Sequence, residues 1–221
     1  MKSLALFFAA LFLISCNGDP EKSQTSDEQK TADPTGPEVI IETSMGTIRA
    51  RLHEDTAPIT VQNYLSYVDK GFYDNTIFHR VMSNFMIQGG GFEMQNGVAR
   101  EKTSGKGIKN ESPNSKSNVR GTLAMARTGD PDSATTQFFI NVSNNDGTGP
   151  VTNLNYPHSN GHGYAVFGEV IEGMDVVDKI KEVSVTTIFM NSQGLSGRVS
   201  TGSHENVPVD PVLIQSIRRA D

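Results

Sequence analysis

From residue 38 onward the chain breaks into short runs in which apolar and polar side chains alternate, and only twice does the spacing lengthen to that of a helix. Glu38-Val39-Ile40-Ile41-Glu42-Thr43 and Gly46-Thr47-Ile48-Arg49-Ala50-Arg51-Leu52 read as strands joined by a hairpin at Ser44-Met45. Thr56-Ala57-Pro58 opens a helix, since proline is tolerated in a first turn. Val61, Tyr64, Leu65 and Val68 form its apolar stripe and Gly71 ends it. A second helix carries apolar side chains at Met174, Val177 and Ile180. Further strands are expected within 78–91, 121–126, 137–141, 164–170 and 212–217, whereas the polar stretches 93–120, 144–163 and 186–206 read as loops. Loops of that length in a compact domain more often wall a site than idle as linkers. About eight strands, two helices and no βαβ rhythm predict a mainly β fold, an antiparallel sheet that closes on itself with helices over its ends. Closure also removes exposed sheet edges.

The segment Phe78-His79-Arg80-Val81-Met82-Ser83-Asn84-Phe85-Met86-Ile87-Gln88-Gly89-Gly90-Gly91 gives this sheet a chemical face. Strand alternation puts Arg80 with Phe78 and Met82, turns His79 away toward Ile77 and Val81, and sets Met86 and Gln88 opposite Ile87. The same parity separates Leu123 and Met125 from Ala124 and Ala126, and Gln137 and Phe139 from Phe138 and Ile140. An arginine, a glutamine and apolar groups on one surface suit a small apolar residue together with its peptide group. His79, turned the other way, is expected to be structural.

The N-terminus adds a second theme. Met1-Lys2-Ser3 precedes the apolar run Leu4 to Ile14, of signal-peptide length, and Leu13-Ile14-Ser15-Cys16 resembles a bacterial lipobox. Residues 1–15 are therefore expected to be a signal peptide, and Cys16, the sole cysteine, a lipidation site. Residues 16–37 form a polar linker that lacks the apolar surface to fold, ahead of a domain over 38–221. The expected location is the bacterial cell envelope, with the domain held at a membrane by the lipid on Cys16 and facing the periplasm or cell exterior.

A net charge of −6 without a basic stripe argues against nucleic acid as a partner. Gly89-Gly90-Gly91 lacks the helix start and Lys-Ser/Thr of a phosphate loop. His158 and His162 have a zinc-compatible spacing but no cysteine or third ligand beside them. No cofactor or metal is expected.

Taken together and in order, Phe78-His79-Arg80-Val81, Phe85-Met86-Ile87-Gln88-Gly89-Gly90, Met125-Ala126-Arg127, Gln137-Phe138-Phe139-Ile140 and Phe167-Gly168 resemble the cyclophilin family of peptidylprolyl isomerases, its bacterial branch in particular. The resemblance spans Glu38 to Ile217. It implies a closed eight-stranded antiparallel β-barrel capped by two α-helices, with a shallow external groove for proline-containing polypeptides, in a chain expected to be a monomer. Carried over by position, Arg80 is the catalytic arginine, and Phe85, Met86, Phe139 and Leu154 line the proline pocket. Gln88, Ala126, Arg127, Gln137 and Tyr164 contact the peptide backbone or form the groove wall.

Two departures stand out. Ser83-Asn84 replaces the family's usual Pro-Gly, and Asn153 precedes Leu154 where the family has an aromatic residue. Either Tyr156 takes that aromatic's place or one wall is polar and open. The expected function is cis-trans isomerisation of X-Pro bonds in exported proteins. The alternative is a module that binds proline segments without turnover, which the altered Asn153 region favours and Arg80 disfavours.

Overall fold

The structure, a computed structural model, describes residues 35–149, 153–158, 161–193 and 199–220. The expected leader, Cys16 and the linker up to residue 34 lie outside the described residues.

The chain runs β1 (Glu38–Thr43), β2 (Gly46–Leu52), α1 (Pro58–Asp69), β3 (Thr76–Met82), β4 (Met86–Gln95), β5 (Val98–Glu101), β6 (Thr122–Met125) and β7 (Phe138–Asn141). It continues through β8 (Val166–Glu172), α2 (Met174–Lys181), β9 (Val185–Gln193), β10 (Val199–Pro208) and β11 (Leu213–Arg219). Neighbouring strands follow the order β4-β3-β11-β1-β2-β8-β6-β7, and pairing of β4 with β7 closes the ring. Among the described residues this is an antiparallel barrel of eight strands, as the alternation predicts.

Alternation fills the interior. Ile41, Ile48, Ile87, Leu123, Phe138, Ile140 and Phe167 point into one core. α1 buries Val61, Tyr64, Leu65 and Val68 on it, and the Tyr64 ring meets Phe167 at 5.0 Å, Tyr73 at 5.2 Å and Phe138 at 5.5 Å. The first turn of α1 has no side-chain cap of its own. Glu111 supplies one from a distant loop, accepting from Ile59 N at 3.1 Å and Thr60 N at 2.8 Å. A carboxylate there satisfies free N–H groups and complements the helix dipole. α2 buries Val176, Val177 and Ile180.

Two of the expected loops contain strands. In 93–120, β4 runs on to Gln95 and pairs with β5 through a turn at Asn96 and Gly97. Both turn residues have positive φ, 51° and 78°, the conformation a two-residue hairpin requires and the pair Asn-Gly readily adopts. Within 186–206, β9 and β10 pair antiparallel as the two arms of a hairpin where a loop is expected, residues 194–198 lying outside the described ones. Its apolar side chains at Met190 and Val207 gather with Ile77, Phe92 and Ala99 into a second, smaller core outside the barrel wall. The intervening polar positions hide this pattern, because the hairpin buries one face only.

The third departure lies in β3. Phe78 pairs with Gly89 and Arg80 with Gln88, so His79 is an extra residue, a bulge. Simple parity expects Phe78 and Arg80 on one face. With the bulge, Phe78 enters the core while Arg80 stays outside, and His79, expected to turn away, comes out on the same side as Arg80. The glycines opposite accommodate the slip. Gly90 has φ +82° and a Cβ there would meet the Phe138 and Tyr73 rings at 2.9 Å, and a Cβ at Gly91 would collide with the Gln137 side chain.

Candidate active site

Parity delivers the outward-facing groups of four strands to one patch of the barrel wall. Met86, Ala124, Phe139, Leu154 and Val166 form a buried apolar cluster, against which Met82, Phe85, Ala126 and Tyr164 pack. A pocket of about 210 Å³ opens above it. Phe85, Met86, Phe139 and Leu154 form its apolar lining, and Arg80, Gln88, Ala126, Arg127 and Tyr164 complete the wall. Nine of the ten expected site residues therefore meet in one small cavity. The tenth, Gln137, stands behind Gln88.

Arg80 is half-buried, with its guanidinium 5.9 Å from the centre of the Phe85 ring. Burial pulls its pKa down from the ordinary value, opposed by the nearby Tyr164 hydroxyl. No carboxylate of the described residues pairs with it. A surface arginine balanced by an acid is thus not what the strand presents. The Gln88 amide is held from behind, since its Nε2 donates to Gln137 Oε1 at 2.9 Å and Gln137 Nε2 donates to Glu101 Oε1 at 3.0 Å.

Arg127 is engaged differently. It stacks 4.4 Å from the Tyr164 ring centre and donates to Gly163 O, Thr128 O and His162 O at 2.9–3.1 Å. All three nitrogens serve the loop, which makes Arg127 a strut of the groove wall. Tyr164 also meets Phe139 edge-on at 5.8 Å.

The wall near Asn153 is resolved among the described residues in favour of a polar rim. Tyr156 is 51% exposed and absent from the pocket lining, so it does not take the place of the missing aromatic. Asn153 is exposed, and its Oδ1 accepts from Asn155 N at 2.9 Å. Among the described residues of this loop, Leu154, only 5% exposed, is the one that lines the pocket.

Residue patterning missed the supports beneath this wall. Asn118, Asn141 and Asn145 are fully buried. Asn118 Nδ2 lies within reach of Tyr164 O at 3.1 Å and Leu154 O at 3.4 Å, and Asn145 Nδ2 donates to Phe85 O at 2.8 Å and Asn141 Oδ1 at 2.7 Å. Three pocket residues thus hang by their carbonyls from buried amides. A buried side-chain amide is costly unless bonded, so its presence beside β6 and β7 signals a scaffold. In sequence Asn118 and Asn145 look like ordinary loop residues, and Asn141 is merely the polar last residue of a strand.

Among the described residues no group of three His, Cys, Asp or Glu is arranged to hold a metal ion, and His158 instead sets its ring 6.1 Å from Tyr164. His79 is 4% exposed and packs 4.6 Å from the Phe92 ring. Burial, reinforced by the neighbouring His204, pushes its imidazole down to about 3.

Comparison with known proteins fixes the family. The model of the cyclophilin type peptidyl-prolyl cis-trans isomerases matches residues 38–218. The chain belongs to that family. It is 49% identical over 180 residues to a peptidyl-prolyl cis-trans isomerase of Acinetobacter baylyi, covering 81% of this chain and 84% of the relative. It is 48% identical over 179 residues to peptidyl-prolyl cis-trans isomerase B of Escherichia coli, covering 81% and 97%. A crystal structure of a cyclophilin type isomerase from Cryptosporidium parvum, determined in the presence of the dipeptide Ala-Pro, shares the fold. Its TM-score is 0.61 at 24% identity, over 83% of this chain and 99% of that one. This cyclophilin is accordingly an enzyme, a peptidyl-prolyl cis-trans isomerase acting on proline-containing peptides.

Proposed function

We propose that Arg80 is the catalytic group and that the 210 Å³ pocket beside it holds the proline ring. The observation that carries this is the half-buried guanidinium, unpaired with any described carboxylate, at the edge of an apolar pocket of suitable size.

Rotation about an X-Pro bond is slow because amide resonance gives the C–N bond double-bond character, with a barrier of about 18–20 kcal/mol. Twisting the bond breaks that resonance and leaves a lone pair on the prolyl nitrogen. The Arg80 guanidinium donates a hydrogen bond to this lone pair, which exists only in the twisted state, so the interaction lowers the barrier rather than deepening the ground state. Phe85, Met86, Phe139 and Leu154 hold the ring while Gln88, fixed by Gln137, hydrogen-bonds the peptide backbone. Each tenfold in rate needs about 1.4 kcal/mol, within reach of one charge-assisted hydrogen bond for the first two or three powers of ten. Partial desolvation strengthens that bond, and an arginine keeps its proton where a lysine in the same place would be prone to lose it. No covalent intermediate enters this route.

The enzyme serves, in this proposal, as a monomeric folding catalyst for exported proteins, tethered to a membrane of the cell envelope by lipid on Cys16. The leader-like run to Ile14, the Leu13-Ile14-Ser15-Cys16 motif and the polar linker that follows support this location.

The deciding experiment follows cis-to-trans relaxation of a proline peptide with the domain and with Arg80→Ala. A loss of about 100- to 1000-fold in kcat/KM is expected, the scale seen when one transition-state donor is removed. A variant as fast as the parent sinks the role given to Arg80.

A further inference from the structure

The hairpin that the polar pattern concealed builds a second cavity beside the proline pocket. Its volume is about 420 Å³, and it lies between the β9–β10 hairpin and the outer face of β3 and β4. Arg80 and Gln88 border both cavities, so a peptide with its proline in one passes the mouth of the other. Successive residues of an extended chain advance about 3.3 Å, which puts the second cavity in range of side chains within a few positions of the proline.

We propose that this second cavity is a substrate subsite for a lysine or arginine side chain near the isomerised proline, a specificity that rests on the isomerase mechanism above. Its floor is aromatic. His79 and Phe92, both almost fully buried, lie 4.6 Å apart at a tilt of 47°, and the partly exposed His204 ring, edge-on to Phe92 at 5.7 Å, gives a surface along which the methylene stem of a long side chain can lie.

The rim supplies carboxylates. Glu205 stands exposed at the mouth of the cavity, and Glu101 lines it while accepting from Gln137 Nε2 at 3.0 Å. Among the described lining residues Arg80 is the only lysine or arginine, set against these two acids. His79 does not add a competing charge, because burial pushes its imidazole down to about 3.

Ser192 Oγ reaches His204 Nε2 at 3.3 Å and keeps the other imidazole in place.

The test compares kcat/KM for proline peptides that differ only in lysine against norleucine, placed at each of the three positions on either side of the proline. Lysine should be favoured about three- to tenfold at one position or two adjacent ones, the range that one or two screened charge contacts supply. The preference should shrink at 1 M salt, and the lysine-to-norleucine ratio should fall toward one in Glu205→Gln combined with Glu101→Gln. A ratio near one at every position in the parent enzyme overturns the subsite, and so does a lysine preference that survives in the double variant. Turnover of the norleucine peptides keeps these outcomes separate from failure of the isomerase mechanism itself, in which neither series would be accelerated.

Discussion

Gln88 Nε2 donates to Gln137 Oε1 across 2.9 Å, which ties the groove amide of β4 to a residue just before β7. Gln137 in turn donates to Glu101 at the end of β5. Gln137 therefore acts through Gln88, and its replacement by leucine should raise KM about three- to tenfold while changing kcat less, as expected when one hydrogen bond that orients bound peptide is lost. Steady-state kinetics with a proline peptide, separating kcat from KM, checks this. A fall in kcat alone would place Gln137 in the rotation step instead.

Asn118 joins the carbonyls of Leu154 and Tyr164 to the body of the barrel. Asn118→Ala leaves those acceptors and the Asn141 amide short of partners, and a loss of about 2–3 kcal/mol in unfolding free energy is expected. Urea denaturation measures it. The same variant should bind proline peptides more weakly, since two pocket walls lose their anchor, whereas Asn153→Ala on the exposed rim should alter stability by less than about 0.5 kcal/mol.

His79 predicts a pH dependence. Its imidazole is held neutral in the fold, down to about 3, against about 6.5 in the unfolded chain. Between those values the unfolded state binds the extra proton, so stability is present above pH 6.5 and is lost as pH falls toward 3, by as much as about 1.4 kcal/mol per pH unit for this one group. His53, also pushed down by burial and by Lys116, acts in the same direction. Denaturation curves from pH 7.5 to 4.5 should show a shallower slope for His79→Phe than for the parent. Equal slopes would mean that His79 charges within the folded protein.

Cys16→Ser should release the protein from membranes into the soluble fraction, read by fractionation with the leader's removal checked by mass. Membrane retention of a processed Cys16→Ser protein would overturn the lipid anchor.

Much of the site was legible because it lies on strands. Met86 and Gln88 face out opposite Ile87, Ala124 and Ala126 oppose Leu123 and Met125, and Phe139 opposes Phe138 and Ile140, all as simple parity requires. The β4–β5 turn has a local signal in Asn96-Gly97, but the polar composition around it makes 93–120 read as a loop. Two features were not legible. The β9–β10 hairpin shows its apolar side only to Ile77, Phe92 and Ala99 and leaves Phe189 72% exposed, so its pattern resembles neither a core strand nor a clean alternation. The asparagine scaffold has no local signature at all.

The sequence by itself determined the eight barrel strands, both helices and the inward and outward faces of most of those strands, because side-chain direction along a strand follows from that strand's own backbone, and its resemblance to the family named the residues of the pocket. Only the tertiary structure decided that His79 joins Arg80 on the outer face, since a bulge is a mismatch between β3 and its partner β4 and exists only once the two are paired. The same holds for the second cavity. It arises where a distant hairpin folds onto the barrel wall, and no property of either segment alone specifies that meeting.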